Sequence, residues 1–396
     1  MEQKLIGTTT VFFTDRCREK NKGILKLTHP AMLAEEETLR WLDSVHLDEV
    51  AANMDADLRT AAENALSKGT VLLANTAWKT ADEWEKWLQI DNKKKKRVHL
   101  LALGDVGSTV LTALKLMGGD CIETLGIYDV NPDVCARWET ELNQAAFPWD
   151  YDALPTVEIL TEEQLFDCDM FVFCASKGIP PVGSQVQDVR MVQYEANKGI
   201  ISIFAKKARD AKFEGLFAVV SDPVDPLCRA AFLASNEDEA GIFDGKGLRP
   251  EQVQGYGLGV MNARAAYYAK RNPNFADFLT EGRAFGPHGQ DLVIANSIAN
   301  YDDERSKALT KLAIEANLRM RELGFKPYVA PAISSAAISL LLTLRGERHY
   351  SSNFLNGVYM GSKNRTTLGV EIESLPLPDA LFQRIQKAYD GLEMIR

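Results

Sequence analysis

The sequence predicts an α/β protein built on a doubly wound parallel sheet, and two observations lead to this fold class. First, between Val98 and Ser221, apolar runs typical of buried strands alternate with segments of helical periodicity. Such alternation is typical of β-α-β units, in which helices cover both faces of a parallel sheet. Second, the composition is that of a globular chain, with 46% apolar and 25% charged residues. At 396 residues the chain is long enough for two or three domains.

The N-terminal segment, residues 1–92, precedes this alternation and differs from it. It contains no recognisable catalytic motif, and apolar residues at helical spacing dominate it. We therefore expect an extra, mostly helical N-terminal domain of unknown role. Three helical stretches and two short strands are predicted, namely Glu35–Val45, Asp55–Ser67, Thr80–Leu88, and the strands Val11–Thr14 and Gly23–Thr28.

Charge, apolar stretches and cysteine usage narrow the function class. A net charge of −10 disfavours nucleic-acid binding, and we interpret the basic run Asn92–Arg97 as a solvated linker. The longest mostly apolar stretch, Ala332–Leu344, is shorter than the ~20 residues of a membrane span, and the N-terminus lacks the pattern of a secretory signal. The six cysteines show no C-x-x-C spacing, so we expect reduced thiols, no metal site and a cytoplasmic location.

A strand, a tight turn and a helix start follow one another at Leu100–Thr109. In this turn Gly104 lets the backbone approach a pyrophosphate, and Gly107 lets the helix pack against the strand, with Asp105 and Val106 between them. The phosphates would lie at the helix N-terminus, where unpaired N–H groups favour an anion. These four residues are the first candidates for cofactor binding.

A neighbouring carboxylate indicates which cofactor this turn binds. Alone, the turn is equally compatible with a strand-turn-helix that binds no ligand, and Ala102 replaces the first glycine of the usual fingerprint. Asp129, at the end of the next predicted strand, favours a dinucleotide because a carboxylate there accepts hydrogen bonds from ribose hydroxyls. The same carboxylate would repel a 2′-phosphate. We therefore predict a Rossmann-type domain that binds NAD rather than NADP.

Three basic side chains further along the chain are candidates for substrate chemistry. His288, one of five histidines, lies in the glycine-flanked turn Gly286–Asp291, which exposes its imidazole. Arg264 lies where a helix begins, and Arg190 follows a Gly/Pro/Gln-rich stretch suited to closing over a ligand. Arginine is well suited to binding carboxylates through two parallel hydrogen bonds. A single histidine is more often structural and a single arginine more often a surface residue, so the three indicate a site only in combination.

From Val98 to the C-terminus the sequence resembles the L-lactate/malate dehydrogenase family. The resemblance implies a Rossmann-type doubly wound parallel sheet that binds NAD over residues 97–225, followed by an α+β catalytic domain over residues 226–396. It also implies a homodimer or homotetramer. Five short motifs in the family's order support it, namely the glycine turn with Tyr128–Asn131, Arg190–Asn197, Val220–Asp225, Asn262–Arg264 and Gly286–Gly289.

The resemblance assigns a role to each candidate residue. His288 would exchange the proton of the substrate hydroxyl, Arg264 would bind the substrate carboxylate, and Arg190, on a mobile loop, would polarise the substrate carbonyl. Other residues of the same motifs and loops complete the expected site, namely Gln185 and Asp222 toward the substrate and Ala175 and Ser221 toward the cofactor.

Three departures from the family bear on the chemistry. The family's aspartate that orients the histidine corresponds to Met261, whose thioether cannot accept an imidazole N–H as a carboxylate does. This loss weakens the histidine as a base unless another acid, for which Asp291 is one candidate, replaces it. Asp222 stands where the family has asparagine, and its charge would disfavour an anion and attract a cation. The segment 1–92 has no counterpart in the family.

Two main functional hypotheses follow. The first is an NAD-dependent oxidoreductase that acts on C2 of a small 2-hydroxy or 2-oxo acid, with an amino- or imino-acid variant indicated by Asp222. The second is a non-catalytic NAD-binding sensor, indicated by Met261. Nucleic-acid binding through Lys93–Arg97 is a third and much weaker hypothesis.

Overall fold

The computed structural model describes residues 1–89, 95–177 and 189–395, and for residues 189–192 it describes the backbone only. Its strands are β1 (Glu2–Ile6), β2 (Thr9–Thr14), β3 (Ile24–Lys26), β4 (Val71–Asn75), β5 (Lys96–Leu101), β6 (Ile122–Tyr128), β7 (Thr156–Ile159), β8 (Met170–Phe173), β9 (Leu216–Val219), β10 (Val253–Gly255), β11 (Arg283–Phe285), β12 (Val293–Ala295), β13 (His349–Leu355), β14 (Val358–Thr366) and β15 (Val370–Ile372). Its α-helices are α1 (Ser44–Asn53), α2 (Ala56–Lys68), α3 (Ala81–Leu88), α4 (Asp105–Met117), α5 (Pro132–Asn143), α6 (Val189–Asp210), α7 (Val224–Asn236), α8 (Leu258–Ala269), α9 (Phe278–Glu281), α10 (Asp303–Glu322), α11 (Ile338–Leu344) and α12 (Asp379–Glu393). A π-helical segment, Pro331–Ala337, leads directly into α11.

Six parallel strands form one half of the main sheet, in the order β7-β6-β5-β8-β9-β10. Counted in chain order, this is the 3-2-1-4-5-6 arrangement of a dinucleotide-binding sheet, with its switch point between β5 and β8. The predicted Rossmann-type doubly wound parallel sheet is therefore confirmed.

The central strands of this half are apolar on both sides because helices cover both faces. Phe171 and Phe173 of β8 pack in the core formed with α6 and α7, whereas Met170 and Val172 pack in the core formed with α4 and α11. This alternation is the two-residue period of a strand. Burial on both faces fixes the position of the central strands in the sheet. Because these strands are parallel, the loops at their carboxyl ends all lie at the same edge of the sheet.

The C-terminal half adds antiparallel strands and further helices. β13 pairs with β10 in antiparallel orientation, and β14 and β15 follow. β11 and β12 form a separate pair, and the turn that joins them contains Gly286–Asp291. Apolar side chains of α8 and α10 pack against this pair, so the turn is anchored on a core of its own. The mixture of helices and antiparallel strands agrees with the predicted α+β arrangement.

The N-terminal segment continues the same sheet beyond β15. β3 pairs in parallel with β15, and β4, β2 and β1 follow, which brings the sheet to thirteen strands among the described residues. The strands predicted at Val11–Thr14 and Gly23–Thr28 correspond to β2 and β3. The expectation of a mostly helical segment is not confirmed, because these strands satisfy the backbone groups that β15 would otherwise leave unpaired at a sheet edge.

Two of the three predicted N-terminal helices are confirmed as α2 and α3, and the third is wrong. Residues 35–38 are not helical, a short 3-10 turn follows at Leu39–Leu42, and α1 begins only at Ser44. The side chains of Thr38 and Asp43 accept hydrogen bonds from the backbone N–H groups two residues further on. Each of these caps starts a new helical turn, so one continuous helix does not form.

Polar contacts attach the N-terminal segment to the rest of the chain. Lys22 and Glu37 form a buried ion pair with an Nζ–Oε2 distance of 2.7 Å, and Lys22 Nζ also donates to the carbonyl of Phe354. The backbone N–H of Gly23 donates to Glu251 at 2.8 Å. Of the helices that the structure describes, none is both long and apolar enough to cross a membrane.

Candidate active site

The carboxyl edge of the parallel strands brings together residues predicted from distant parts of the sequence. Gly104 and Asp129 follow β5 and β6, and Ala175 and Ser221 follow β8 and β9. The first two lie on one side of the switch point and the last two on the other. This crevice is where open α/β sheets bind ligands.

The two glycines of the turn after β5 leave the room that helix packing and a close approach of a ligand require. A Cβ atom on Gly107 would lie 2.0 Å from the carbonyl oxygen of Ala102, so α4 can pack against this turn only with glycine at 107. A Cβ on Gly104 would meet no atom within 4 Å, which leaves open space at the start of α4. No side chain of the described residues caps this helix at Gly104. The backbone N–H groups of the first turn, which includes Asp105 and Val106, are therefore not covered by a side-chain cap.

Ala102 occupies a backbone conformation that favours glycine. Its φ is +72°, in the left-handed region, and its N–H donates to the carbonyl of Tyr128 at 2.8 Å. The turn thus keeps its shape without the first glycine of the usual fingerprint, at the expense of strain at one alanine.

Asp129 lies beside the glycine turn, as its predicted role requires. Its Oδ2 atom accepts a hydrogen bond from the N–H of Leu103 at 2.8 Å, and its Oδ1 atom accepts one from Asn131 at 3.0 Å. The side chain is half-buried. Because a carboxylate has about four acceptor positions, capacity remains for a ligand hydroxyl.

The segments after β8 and β9 are tied to each other. The hydroxyl of Ser221 donates to the carbonyl of Ala175 at 2.7 Å. Asn197 of α6 is fully buried and donates to the carbonyl of Asp222 at 2.7 Å, while its Oδ1 accepts the N–H of Lys177 at 2.9 Å. Asn197 therefore fixes the backbone on which Asp222 stands. The sequence gives no sign of this role, since Asn197 is one polar residue within a helical stretch.

His288 contacts Asp222 across the crevice. The Nε2 atom of His288 lies 3.2 Å from Oδ1 of Asp222, with 21% and 48% of the two side chains exposed. On its other edge the imidazole packs against Gly257, where a Cβ atom would lie 3.0 Å from Nδ1. The positive φ of Gly286 (+84°) and Gly289 (+122°) gives the His288 turn its shape. The imidazole is thus held between a carboxylate and the start of α8.

A second acid lies behind this pair. Asp225, at the start of α7, is buried and accepts a hydrogen bond from the hydroxyl of Ser352. Burial raises the pKa of Asp225 to about 6, the hydrogen bond from Ser352 and the charge of His288 lower it, and the charge of Asp222 raises it. The charges of His288 and Asp222 therefore both act on the carboxyl group of Asp225.

Arg264 projects from α8 toward α10. Its guanidinium contacts Sδ of Met261 at 3.5 Å and the carbonyl of Ala313 at 3.4 Å, and it donates to the side-chain oxygen of Asn317. Burial lowers the pKa of Arg264, and the charges of Tyr268 and Asp222 raise it. Asp222 is therefore close enough to interact electrostatically with both His288 and Arg264.

The remaining sequence predictions differ in outcome. Gln185 lies outside the described residues, and of Arg190 only the backbone is described, as the second residue of α6.

Met261 is buried in the core between α8 and α10. The carboxylate of Asp291, the acid that the sequence indicated for His288, lies near Gly391 of α12. The acid in contact with His288 is instead Asp222, which the sequence had indicated only for the substrate. Among the described residues, no group of three or more His, Cys, Asp or Glu side chains is arranged to hold a metal ion.

Comparison with known proteins agrees with this architecture. No family model matches the chain. A curated relative from Campylobacter jejuni, named "Probable malate dehydrogenase", is 27% identical over 291 residues, which cover 69% of this chain and 87% of the relative. An L-lactate dehydrogenase from Staphylococcus epidermidis is 24% identical over 323 residues, which cover 75% of this chain and 95% of the relative.

Solved structures share the fold at still lower identity. The malate dehydrogenase of Archaeoglobus fulgidus, solved in complex with NADH, superposes with a TM-score of 0.59 and 18% identity, over 75% of this chain and 97% of that one. Relatives of both names cover similar shares of this chain, from 69% to 75%. The chain therefore resembles lactate and malate dehydrogenases in sequence at low identity and shares their fold.

Proposed function

We propose that this protein is an NAD-dependent oxidoreductase that interconverts a 2-hydroxy acid and the corresponding 2-oxo acid. The observation that carries the proposal is the contact between His288 and Asp222 at the edge of the sheet that also bears the glycine turn. An imidazole held by a carboxylate is a suitable proton acceptor and donor for a hydroxyl group.

The residues present fit a dinucleotide. Gly104 leaves open space at the start of α4, and the half-buried carboxylate of Asp129 lies beside the same turn. Backbone N–H groups of α4 would bind the pyrophosphate, and Asp129 would accept the ribose hydroxyls. Ala175 and Ser221 lie on the other side of the switch point, where the nicotinamide end would extend. NAD, when bound, supplies the hydride-transfer chemistry.

The protein's own residues supply proton transfer and binding. His288 takes the proton of the substrate hydroxyl during oxidation and returns it during reduction. Arg264 binds the substrate carboxylate, since its guanidinium is partly buried and carries an always-charged fork of donors. Arg190, at the start of α6, has the role that the family resemblance implies, which is to stabilise negative charge that develops on the carbonyl oxygen.

Asp222 is assigned the role of holding the imidazole of His288. The thioether of Met261 cannot do so, and Asp222 already contacts Nε2 at 3.2 Å. A carboxylate this close to Nε2 stabilises the imidazolium that forms when His288 takes a proton.

The same residue favours a second candidate function, the oxidoreduction of amino or imino acids. About half of the Asp222 side chain is exposed, beside His288 and within the electrostatic reach of Arg264. A substrate that placed its carboxylate on Arg264 and a cationic amino group on Asp222 would satisfy both charges.

One assay tests both candidates. Purified protein is mixed with NADH and a panel of 2-oxo acids, with and without ammonium, and the absorbance of NADH is followed. Turnover without ammonium supports the 2-hydroxy-acid function, and turnover only with ammonium supports the second candidate. His288→Gln should abolish turnover while leaving NADH affinity unchanged. Tight NADH binding without turnover on any substrate would instead indicate a sensor, and no NADH binding would contradict the proposal entirely.

A further inference from the structure

Lys326 forms an ion pair with a residue of the glycine turn. Its Nζ atom lies 2.9 Å from Oδ2 of Asp105, the first residue of α4. We propose that Lys326 is a further cofactor-binding residue, one that places its positive charge on the pyrophosphate of the dinucleotide. This inference rests on the proposed function, because it assumes that the glycine turn binds NAD.

The route of the chain brings Lys326 to this position. α10 ends at Glu322, and Gly324, with φ of +83°, turns the chain away from the helix axis. The chain then passes Lys326 and enters the π-helical segment at Pro331. We refer to residues 323–330 as the strap. It crosses from α10 to the start of α4, far away in sequence.

The charges around the turn explain why a cation is useful there. The carboxylate of Asp105 lies in the first turn of α4, where it interacts favourably with the helix dipole. The same carboxylate would repel an incoming pyrophosphate. Lys326 neutralises Asp105, and its ammonium group has three donors, so it can pair with Asp105 and a phosphate oxygen together.

The solvent exposure of both side chains indicates that this ion pair does not serve mainly to stabilise the fold. The side chains of Lys326 and Asp105 are 80% and 50% exposed. Pairs with this exposure add little to folding stability, because solvent screens them. The ammonium group of Lys326 is therefore accessible to a ligand that reaches the turn.

The strap continues from α10, the helix that contacts Arg264. Asn317, near the C-terminal end of α10, holds the guanidinium of Arg264, and Lys326 follows in the strap that continues the same helix. α10 and the strap therefore contact both the cofactor turn and the residue proposed to bind the substrate carboxylate.

The test is the affinity for NADH and for ADP-ribose, which keeps the pyrophosphate but lacks the nicotinamide ring. We expect Lys326→Gln to weaken both ligands about three- to tenfold at low salt, and the difference from wild type to shrink as salt rises. Lys311→Gln is the matched control, since Lys311 is an exposed lysine of α10 paired with Glu315. It should change both affinities less than about twofold.

A second pair of variants separates direct binding from simple neutralisation. Asp105→Asn should tighten ADP-ribose binding modestly, and Lys326→Gln should still weaken binding in that background. If the loss vanishes when Asp105 is absent, Lys326 does not contact the pyrophosphate and the inference is wrong. It is equally wrong if Lys326→Gln and Lys311→Gln behave alike while the wild type binds both ligands. Failure of the wild type to bind either ligand would instead contradict the proposed function.

Discussion

The Nε2 atom of His288 lies 3.2 Å from Oδ1 of Asp222, and this contact joins the turn between β11 and β12 to the loop after β9. The carboxylate also interacts with the guanidinium of Arg264. A single acid thus contacts the imidazole and acts electrostatically on the guanidinium, the two groups proposed to handle the hydroxyl and the carboxylate of a 2-hydroxy acid. In the family pattern that the sequence resembles, this position is asparagine and the acid corresponds to Met261, so we interpret the two departures as one exchange.

The first prediction concerns that exchange. Asp222→Asn should lower kcat about 10²-fold or more, because the imidazole loses the charge that stabilises its protonated form. Affinity for NADH should stay unchanged, since Asp222 does not belong to the glycine turn. Steady-state kinetics with the best substrate of the 2-oxo-acid panel, together with NADH titration, measure the two effects separately.

A rescue experiment distinguishes this role from a structural one. Met261 lies one helical turn after Gly257, which faces Nδ1 of His288, so an acid at 261 would approach the opposite edge of the ring. The double variant Asp222→Asn/Met261→Asp should therefore recover part of the lost activity. If Asp291→Asn abolishes turnover and Asp222→Asn does not, the acid that the sequence indicated is the correct partner and ours is not.

The second prediction separates the roles of two glycines. Gly107→Ala would place a Cβ 2.0 Å from the carbonyl oxygen of Ala102 and should lower the Tm by several degrees. Gly104→Ala meets open space and should leave the Tm within about one degree of wild type, while NADH affinity falls about tenfold or more because the added methyl group occupies the approach to the helix N-terminus. Differential scanning fluorimetry and NADH titration provide the measurements. Equal effects of the two variants on Tm would contradict this division.

The sequence predicted those features whose signal is local. Gly107 and Asp129 could be assigned because a strand, a turn and a helix follow one another, and the structure places both at the turn. The partner of His288 could not be predicted, because the contact with Asp222 depends on how two distant loops meet. Asn197 was missed for the same reason, since its partners belong to the loops after β8 and β9. The N-terminal segment was predicted to be mostly helical because its strands are short. Their role as strands becomes evident only from their pairing beyond β15.

The third prediction concerns how the N-terminal segment is held. Lys22 and Glu37 are only 1% and 3% exposed, and Lys22→Met would leave Glu37 as a buried charge without its cation. The free energy of unfolding should fall by about 3 kcal/mol. Arg59→Met, which breaks an exposed i,i+4 pair with Glu63, is the matched control and should change it by less than about 0.5 kcal/mol. Chemical denaturation compares the two, and equal losses would indicate that Lys22, which pairs with Glu37 and donates to the carbonyl of Phe354, does not stabilise the attachment of the segment.

The fourth prediction concerns the pH dependence of stability. Burial raises the pKa of Asp225 to about 6 from an ordinary value of 3.8. Between these values the folded protein binds more protons at this carboxyl than the unfolded chain does, so its contribution to stability is present at low pH and is lost as the pH rises. The loss should be up to about 3 kcal/mol between about pH 4 and pH 6, with no further change at this site above that range.

Asp225→Asn removes the ionisation and keeps an oxygen that can accept the hydroxyl of Ser352. Relative to wild type, this variant should therefore gain stability as the pH rises from about 4 to about 7, measured by denaturant unfolding at both values. Asp167→Asn, at a carboxylate that is 75% exposed, is the control and should show a nearly constant difference. A constant difference for Asp225→Asn as well would mean that the carboxyl is ionised in the folded protein throughout this range.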